Sequence, residues 1–377
     1  MTDAPLHIAF YCNLMGWPKR SHGGVRQWVL ALANGLVASG YRVDVLSEAL
    51  PGHFKDEALL DPRVRRVMLG IGFCARWRLR SYILNHPGIR LVSALNHYNI
   101  HAARLKEQLG KRVHVTLTQH EHLSAEGRWL HPVPYRRLTH YVQRHFNAAD
   151  AVVAVSESVA SDLRSCWGVN PNRLHAIYNP AWRVSFAEEA RTPVNCPWVA
   201  DKSVPLVVAA GRLHYVKGFD ILVDAFACVY RETGAHLVIL GEGKRRKQLE
   251  AQVRRLGLVD AVALPGRVVS IAPWLAASDA FVVSSRTEAC PTVVVEALAL
   301  GCKIVCSRCP GGAEELLEGG RWGTLVTPED PRALSTAILD AIRAPVRDSA
   351  SLRSRAREFS LERALDRYLA VWEVPAT

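Results

Sequence analysis

The sequence predicts an α/β chain folded as two doubly wound, parallel-sheet domains, and three observations lead there. Apolar runs of strand length alternate with helix-length segments from one end of the chain to the other, the signature of repeated strand–helix–strand units. Most of these runs are continuously apolar, the pattern of strands covered by helices on both faces. The length of 377 residues exceeds what one hydrophobic core usually serves, so two domains share the alternation.

In the first half, Leu6–Cys12 is the opening strand, and a loop containing Gly23-Gly24 follows it. An amphipathic helix then runs from Val25 to Ser39, Gly40 ends it, and Tyr41–Leu46 is the next strand. A paired glycine lets backbone come close to a ligand, which makes Gly24 a candidate contact, although the spacing is not G-x-G-x-x-G. Further strands fall at Arg90–Leu95, His114–Thr118 and Ala151–Val155, with Leu174–Pro180 as the last of this half. The stretch Trp182–Lys202 carries Pro193, Pro197 and the pair Glu188-Glu189 without periodicity, and reads as a connection opened by Asn179-Pro180.

The second half repeats the alternation more cleanly. Strands are expected at Leu206–Ala210, His236–Leu240, Ala261–Leu264, Ala280–Ser284, Lys303–Ser307 and Gly323–Val326. Helices are expected at Phe219–Glu232, Arg245–Leu256, Ile271–Ala276, Pro291–Leu300, Ala313–Glu318 and Pro331–Ile342. A last helix from Leu361 to Trp372 is apolar at Ala364, Leu365, Tyr368, Leu369 and Trp372. The domain reading is therefore 1–183, a connection 184–203, a second domain 204–358, and a C-terminal helix within 359–377.

Two loops carry the chemistry. Strand Ala280–Ser284 runs into a short polar turn, and Pro291 can open the next helix because the first helical position needs no backbone N–H. Gly301 closes that helix as a left-handed cap. Glu288 then sits beyond the carboxyl end of a buried strand, and Glu296 sits more than a turn into the helix, both toward the crevice where such sheets bind ligands. The N–H groups of Thr292, Val293 and Val294 suit an anionic phosphate there. Upstream, a strand ends at Gly211, and Arg212 and Lys217 follow in one loop, a planar fork and a point charge fit to hold a diphosphate.

Together these elements resemble the retaining glycosyltransferases of family 4, on the GT-B fold, over nearly the whole chain. The resemblance implies two Rossmann-like domains facing an interdomain cleft, with the acceptor on the first domain and a nucleotide sugar on the second. It implies that Arg212 and Lys217 bind the donor diphosphate, that Glu288 contacts the donor sugar, and that Glu296 holds the ribose. His120, in Thr118-Gln-His-Glu121, resembles the family's Thr-x-His-Asp with Glu121 in place of Asp, and by resemblance approaches the reactive carbon. Gly24, Gly211, Gly241, Arg267, Pro291, Thr292 and Val293 complete the implied donor-binding set, and Asn179 matches a hinge asparagine. Ser156 and Glu157 line the cleft by resemblance, or cap the following helix on their own chemistry. Cys290 departs from the glycine or phenylalanine frequent just past the first glutamate. The implied reaction retains configuration by same-face attack, with Arg212 and Lys217 stabilising charge on the leaving diphosphate. No D-x-D pair accompanies it, so neither metal nor cofactor is expected beyond the donor itself.

The implied donor is a UDP- or GDP-linked hexose or N-acetylhexosamine, and the implied acceptor a lipid-linked or polysaccharide chain in surface glycan synthesis. The segments Cys309–Leu317 and Gly320–Val326 resemble capsule and O-antigen members. An epimerase or hydrolase of nucleotide sugars on the same fold is the alternative enzyme; a non-catalytic basic scaffold for membrane or nucleic acid is the alternative from another class. With the cleft motifs complete, nucleic acid is not the expected partner.

Composition agrees with an ordinary globular protein, 49% hydrophobic and 22% charged. Nine scattered cysteines fit a reducing cytoplasm, and Cys306 and Cys309 read as buried apolar side chains rather than a zinc site. The N-terminus lacks a basic region and long apolar core, so no signal peptide is expected, nor is a membrane span. Of the net charge of +12, residues 1–190 hold 23 Lys and Arg against 14 Asp and Glu, leaving 24 against 21 for the rest. That asymmetry, densest at Arg63, Arg65, Arg66 and Arg76-Trp-Arg-Leu-Arg80, reads either as an interfacial helix on an anionic membrane surface or as a solvated face packed by Trp77 and Leu79.

Overall fold

The computed structural model describes residues 6–12, 23–48, 59–127, 132–200, 203–345 and 349–373. The chain divides into two compact units, Met1–Pro180 with Leu361–Thr377, and Ala181–Ser360. The stretch 184–203 thus belongs to the second unit, where the short helix Phe186–Glu189 buries Phe186.

The first unit holds a parallel sheet of β1 (His7–Tyr11), β2 (Arg42–Ser47), β3 (Arg65–Met68), β4 (Arg90–Ala94), β5 (His114–Gln119), β6 (Ala151–Ala154) and β7 (Leu174–Ala176). Its order is β3-β2-β1-β4-β5-β6-β7, so the winding reverses between β1 and β4. Ile8, Phe10, Val43, Val45, Val92 and Val153 meet the helix Gly23–Ala38 through Trp28, Val29, Leu32 and Leu36. β3 was not legible from sequence, because this edge strand, reading Arg-Arg-Val-Met, pairs on one edge only and has no fully buried residue, so it needs no apolar run. The strand expected to reach Leu95 stops at Ala94, since Leu95 takes a positive φ of 78° to launch the helix Asn96–Leu109.

The C-terminal helix Leu361–Glu373 packs onto this same unit. Tyr368 and Trp372 are fully buried, and both are held by more than area. Trp28 Nε1 donates to the Tyr368 hydroxyl at 3.2 Å, Trp372 Nε1 donates to Thr116 Oγ1 at 3.2 Å, and Arg90 Nε donates to the Trp372 carbonyl at 3.0 Å. The acceptors offset what the buried indole N–H groups lose in leaving water, so the burial of their apolar surface is not cancelled by an unmade hydrogen bond.

The second unit holds β8 (Leu206–Ala210), β9 (His236–Leu240), β10 (Val262–Gly266), β11 (Ala280–Val283), β12 (Ile304–Ser307) and β13 (Thr324–Val326), all parallel. The order β10-β9-β8-β11-β12-β13 reverses between β8 and β11. Helices Phe219–Thr233 and Pro331–Arg343 cover one face through Leu222, Phe226, Leu334 and Ile338. Strand bounds differ from the sequence reading by one or two residues, as is usual where ends fray.

Replacing Trp372 by alanine is expected to cost about 3–5 kcal/mol by removing a fully buried indole and leaving a cavity. Urea unfolding followed by tryptophan fluorescence checks it; a loss below about 1 kcal/mol would mean that the terminal helix adds little to the first unit.

Candidate active site

The second unit's switch point, between β8 and β11, is where the carboxyl ends of two strands diverge and leave a crevice. Gly211 ends the first loop boundary here, with its N–H donating to the Leu240 carbonyl at 2.9 Å. Gly241, at φ 137°, crosses so close that a Cβ would lie 1.9 Å from the Gly211 carbonyl oxygen. The loop after β8 then makes a single 3₁₀ turn, Tyr215–Lys217, and reverses at Gly218 with φ 62°. A Cβ on Gly218 would stand 2.0 Å from the Ser284 carbonyl oxygen, so only glycine lets this turn lie against the end of β11.

That approach delivers Lys217 to Glu288. Lys217 Nζ donates to Glu288 Oε1 at 2.5 Å, and Ser285 Oγ donates to the same oxygen at 2.6 Å. Ser284 Oγ fixes the other side of the turn by donating to the Lys217 carbonyl at 3.0 Å. Glu288 is buried and its N–H donates to the Pro310 carbonyl at 3.0 Å. An ion pair built into buried backbone in this way is oriented before any ligand arrives. Arg212, in the same loop as Lys217, is exposed.

Sequence reasoning missed the brace behind the pair. Arg286 makes a two-pronged bond to Asp220 at 2.9 and 2.8 Å, donates through Nε to Glu329 at 2.8 Å, and donates to the Tyr215 carbonyl at 2.7 Å. Its guanidinium also lies 3.8 Å from the Tyr215 ring centroid, so one side chain locks the turn that carries Lys217. Asp220 and Arg286 are far apart in sequence, which leaves no local signal. Lys244 and Arg245 were likewise missed as part of this surface. His214 is pushed below its ordinary range by burial first and then by the charges of Arg212, Lys244, Arg245 and Lys217, which places four cations around one loop.

The helix after Glu288 runs Thr292–Ala299, and Pro291 is its cap residue rather than its first turn. The Pro291 carbonyl accepts the Val294 N–H at 2.9 Å, so Val294 is not available to an anion as the sequence reading had it. Thr292 and Val293 keep N–H groups that the helix itself cannot satisfy. At the other end Gly301 is left-handed at φ 75°, and Cys302 N–H reaches back to the Ala297 carbonyl at 3.0 Å, closing the helix as expected. Glu296 is half-buried, and burial raises its carboxyl to about 7, with Arg183 opposing and Glu189 adding to the shift. Arg267 is exposed just past β10.

The remaining candidates lie in the first unit. His120 packs edge-on against Trp28 at 4.8 Å between ring centroids, and burial pushes its pKa down to about 3, so the imidazole is neutral. Thr118 Oγ1 spends its own proton on the Ser93 carbonyl at 2.7 Å, so at 3.1 Å it accepts from His120 Nε2–H. That assigns the tautomer and leaves Nδ1 with the lone pair. Glu121 accepts from Asn96 Nδ2 at 2.8 Å. Gly24 is exposed in the first turn of Gly23–Ala38, where a Cβ would meet nothing within 4 Å, and its neighbouring loop lies outside the described residues. Ser156 caps the helix Glu157–Trp167 by accepting the Val159 N–H at 3.2 Å. Asn179 is buried, with Oδ1 unpartnered among the described residues. Cys306 and Cys309 are buried free thiols, pushed up by burial, and among the described residues no group of three His, Cys, Asp or Glu could hold a metal ion.

Residues 22–181 match the family described as Glycosyltransferase Family 4, and residues 204–344 match Glycosyl transferases group 1. The chain belongs to glycosyltransferase family 4. The D-inositol 3-phosphate glycosyltransferase 2 of Catenulispora acidiphila is 33% identical over 218 residues, which are 53% of this chain and 50% of that protein. A Campylobacter jejuni relative, N-acetylgalactosamine-N,N'-diacetylbacillosaminyl-diphospho-undecaprenol 4-alpha-N-acetylgalactosaminyltransferase, is 26% identical over 213 residues, 55% of this chain and 56% of its own. The family-4 chain thus matches about half the length of these curated relatives. Among solved structures, Anabaena HepE in complex with UDP and glucose superposes with a TM-score of 0.79 at 21% identity, covering 98% of this chain and 100% of that one. That likeness, with the two Rossmann-like sheets, makes this the GT-B fold.

Because the Glu296 carboxyl is raised from 4.5 to about 7, its charged form costs more in the folded chain than in the unfolded one. The cost is absent below pH 4.5, grows through neutrality and is complete above it. Glu296→Gln should therefore leave stability unchanged at low pH and raise it at pH 8 by about 1–3 kcal/mol, after allowance for partial solvation. Chemical unfolding at the two pH values checks this, and equal stabilisation at both would refute it.

Proposed function

We propose that this protein is a retaining glycosyltransferase that moves a hexose or N-acetylhexosamine from a UDP- or GDP-sugar to a lipid-linked or polysaccharide acceptor in surface glycan synthesis. The observation that carries the reading is the Lys217–Glu288 pair at the second unit's switch point, with Arg212 exposed in the loop that carries Lys217. A diphosphate arriving there finds Arg212 as a fork and Lys217 as a point charge, and Lys217 exchanges a carboxylate partner for a phosphate oxygen. Thr292 and Val293 N–H groups add a helix start to the same anion.

On this reading the leaving diphosphate takes the acceptor's proton as the acceptor oxygen attacks from the same face, and the two cations stabilise the charge left on the diphosphate. No protein nucleophile and no metal is required. Glu296 accepts ribose hydroxyls in its ionised form, and neutral His120 offers the Nδ1 lone pair rather than a charge. UDP is favoured as the nucleotide because HepE, of the same fold, binds UDP. The Campylobacter relative, by its name, acts on a diphospho-undecaprenol-linked saccharide, which supports a lipid-linked acceptor here.

A lipid-linked acceptor implies work at a membrane surface, on its cytoplasmic side where nucleotide sugars are drawn upon. No helix among the described residues is long and apolar enough to cross a membrane. Helix Gly72–Leu84 instead buries Ala75, Leu79, Tyr82 and Ile83 and leaves Phe73 and Trp77 84% and 63% exposed among Arg76, Arg78 and Arg80. Trp77 therefore does not pack the helix down, and the combination suits an anionic lipid interface.

Calorimetric titration with UDP and with GDP in the presence of EDTA tests the donor assignment. Micromolar binding of UDP is expected, weakened in Glu296→Ala by about 1.5–3 kcal/mol; binding of neither nucleotide would overturn the reading. Exchanging Arg76, Arg78 and Arg80 together for glutamine should release the protein from phosphatidylglycerol vesicles in a flotation assay. Unchanged flotation would remove the interfacial helix from the account.

A further inference from the structure

The first unit has a switch point of its own, between β1 and β4, with Gly24 in the helix that follows β1. Three chain segments converge there. Tyr11 ends β1, Glu48 directly follows β2, and His97, Tyr98 and His101 open the helix that follows β4. The Tyr11 hydroxyl donates to Glu48 Oε1 at 2.5 Å, and His101 Nδ1 lies 3.4 Å from that hydroxyl and 3.8 Å from the carboxylate. The Tyr11 and Tyr98 rings meet edge-on at 4.8 Å, and His97 lies 4.0 Å from Tyr98.

Burial sorts the group into a floor and a rim. Tyr11 and Tyr98 are buried, Glu48 and His101 are half-buried, and His97 is exposed. Burial alone would raise the Glu48 carboxyl, yet bonds to His101 and Tyr11 and the charges of His101 and His97 bring it below the usual range. An ionised acceptor thus stands beside imidazoles that can donate or accept, an alternation matched by neighbouring sugar hydroxyls, which do both. The carboxylate disfavours an anion, and this group is not a metal cluster.

We propose that Glu48, His97 and His101 form a saccharide-binding subsite at this switch point, with Tyr11 positioning Glu48 from below. It rests on the transferase reading only in taking the bound sugar as the acceptor. Glu48 and His101 hydrogen-bond sugar hydroxyls, and His97 closes the rim.

The test uses the full chain labelled with ¹³C-histidine and titrated with methyl glycosides of glucose, galactose, mannose and N-acetylglucosamine. The imidazole Cε1–Hε1 signals of His97 and His101, assigned through His97→Asn and His101→Asn, should move with at least one glycoside. Glu48→Gln should weaken that binding about tenfold, the loss of one charge-assisted hydrogen bond, while UDP affinity by calorimetry stays unchanged. Tyr11→Phe should weaken it about threefold and, in a second sample labelled with ¹³C-glutamate, shift the carboxyl titration of Glu48 upward, which loss of packing alone would not do. If Glu48→Gln does not fold, His101→Asn serves in its place, with the same loss expected. Signals unmoved by every glycoside while UDP still binds would overturn the subsite and leave the transferase reading standing. Glycoside affinity unaffected by Glu48→Gln would overturn it as well. Glycoside binding without UDP binding would uphold the subsite and defeat the transferase reading.

Discussion

The candidate donor site depends on one close approach, the turn at Gly218 lying against the carbonyl of Ser284. A side chain there would collide with backbone, and backbone at the end of a central strand has nowhere to go. Because the approach is allowed, Lys217 reaches Glu288, Ser285 orients the same carboxylate oxygen, and Arg286 can clasp the turn from behind. The exposed Arg212 owes its place to the same loop. What looks like a pair of charges is therefore a consequence of how near two strand ends can bring their loops.

Electrostatics then divides the work among similar residues. Glu288 is buried but matched by Lys217 and Ser285, whereas Glu296 is half-buried, with Arg183 opposed by Glu189, and is pushed toward neutrality. His120 and His101 differ in what faces them. The first sits against Trp28 and stays neutral, and the second stands next to an ionised Glu48.

Symmetry of winding explains why both units have a place for such groups. Each sheet reverses direction once, when the chain leaves its third strand and returns to pair beside its first, and each reversal parts two loops that would otherwise pack together. In the second unit the gap is lined by charges, and in the first by phenols, imidazoles and a carboxylate. The C-terminal helix belongs to the first unit because Tyr368 and Trp372 find acceptors and donors there as well as apolar cover.

The sequence by itself determined the doubly wound sheets of both units, since strands buried on both faces must be continuously apolar and their helices must be amphipathic. It determined the last helix and its buried face, and it located Lys217, Glu288 and Glu296 through loops punctuated by Gly211, Pro291 and Gly301. The edge strand Arg65–Met68 escaped, because a strand with no fully buried residue obeys no such pattern. Only the tertiary structure decided which partners these residues have. Pro291 became a cap whose carbonyl takes the Val294 N–H, Ser156 became a cap, and Trp77 turned outward while Leu79 turned in. Asp220 and Arg286, or Tyr11, Glu48 and His101, are brought together by strand order, and strand order is set by packing energies summed over whole layers, which no local run of residues encodes.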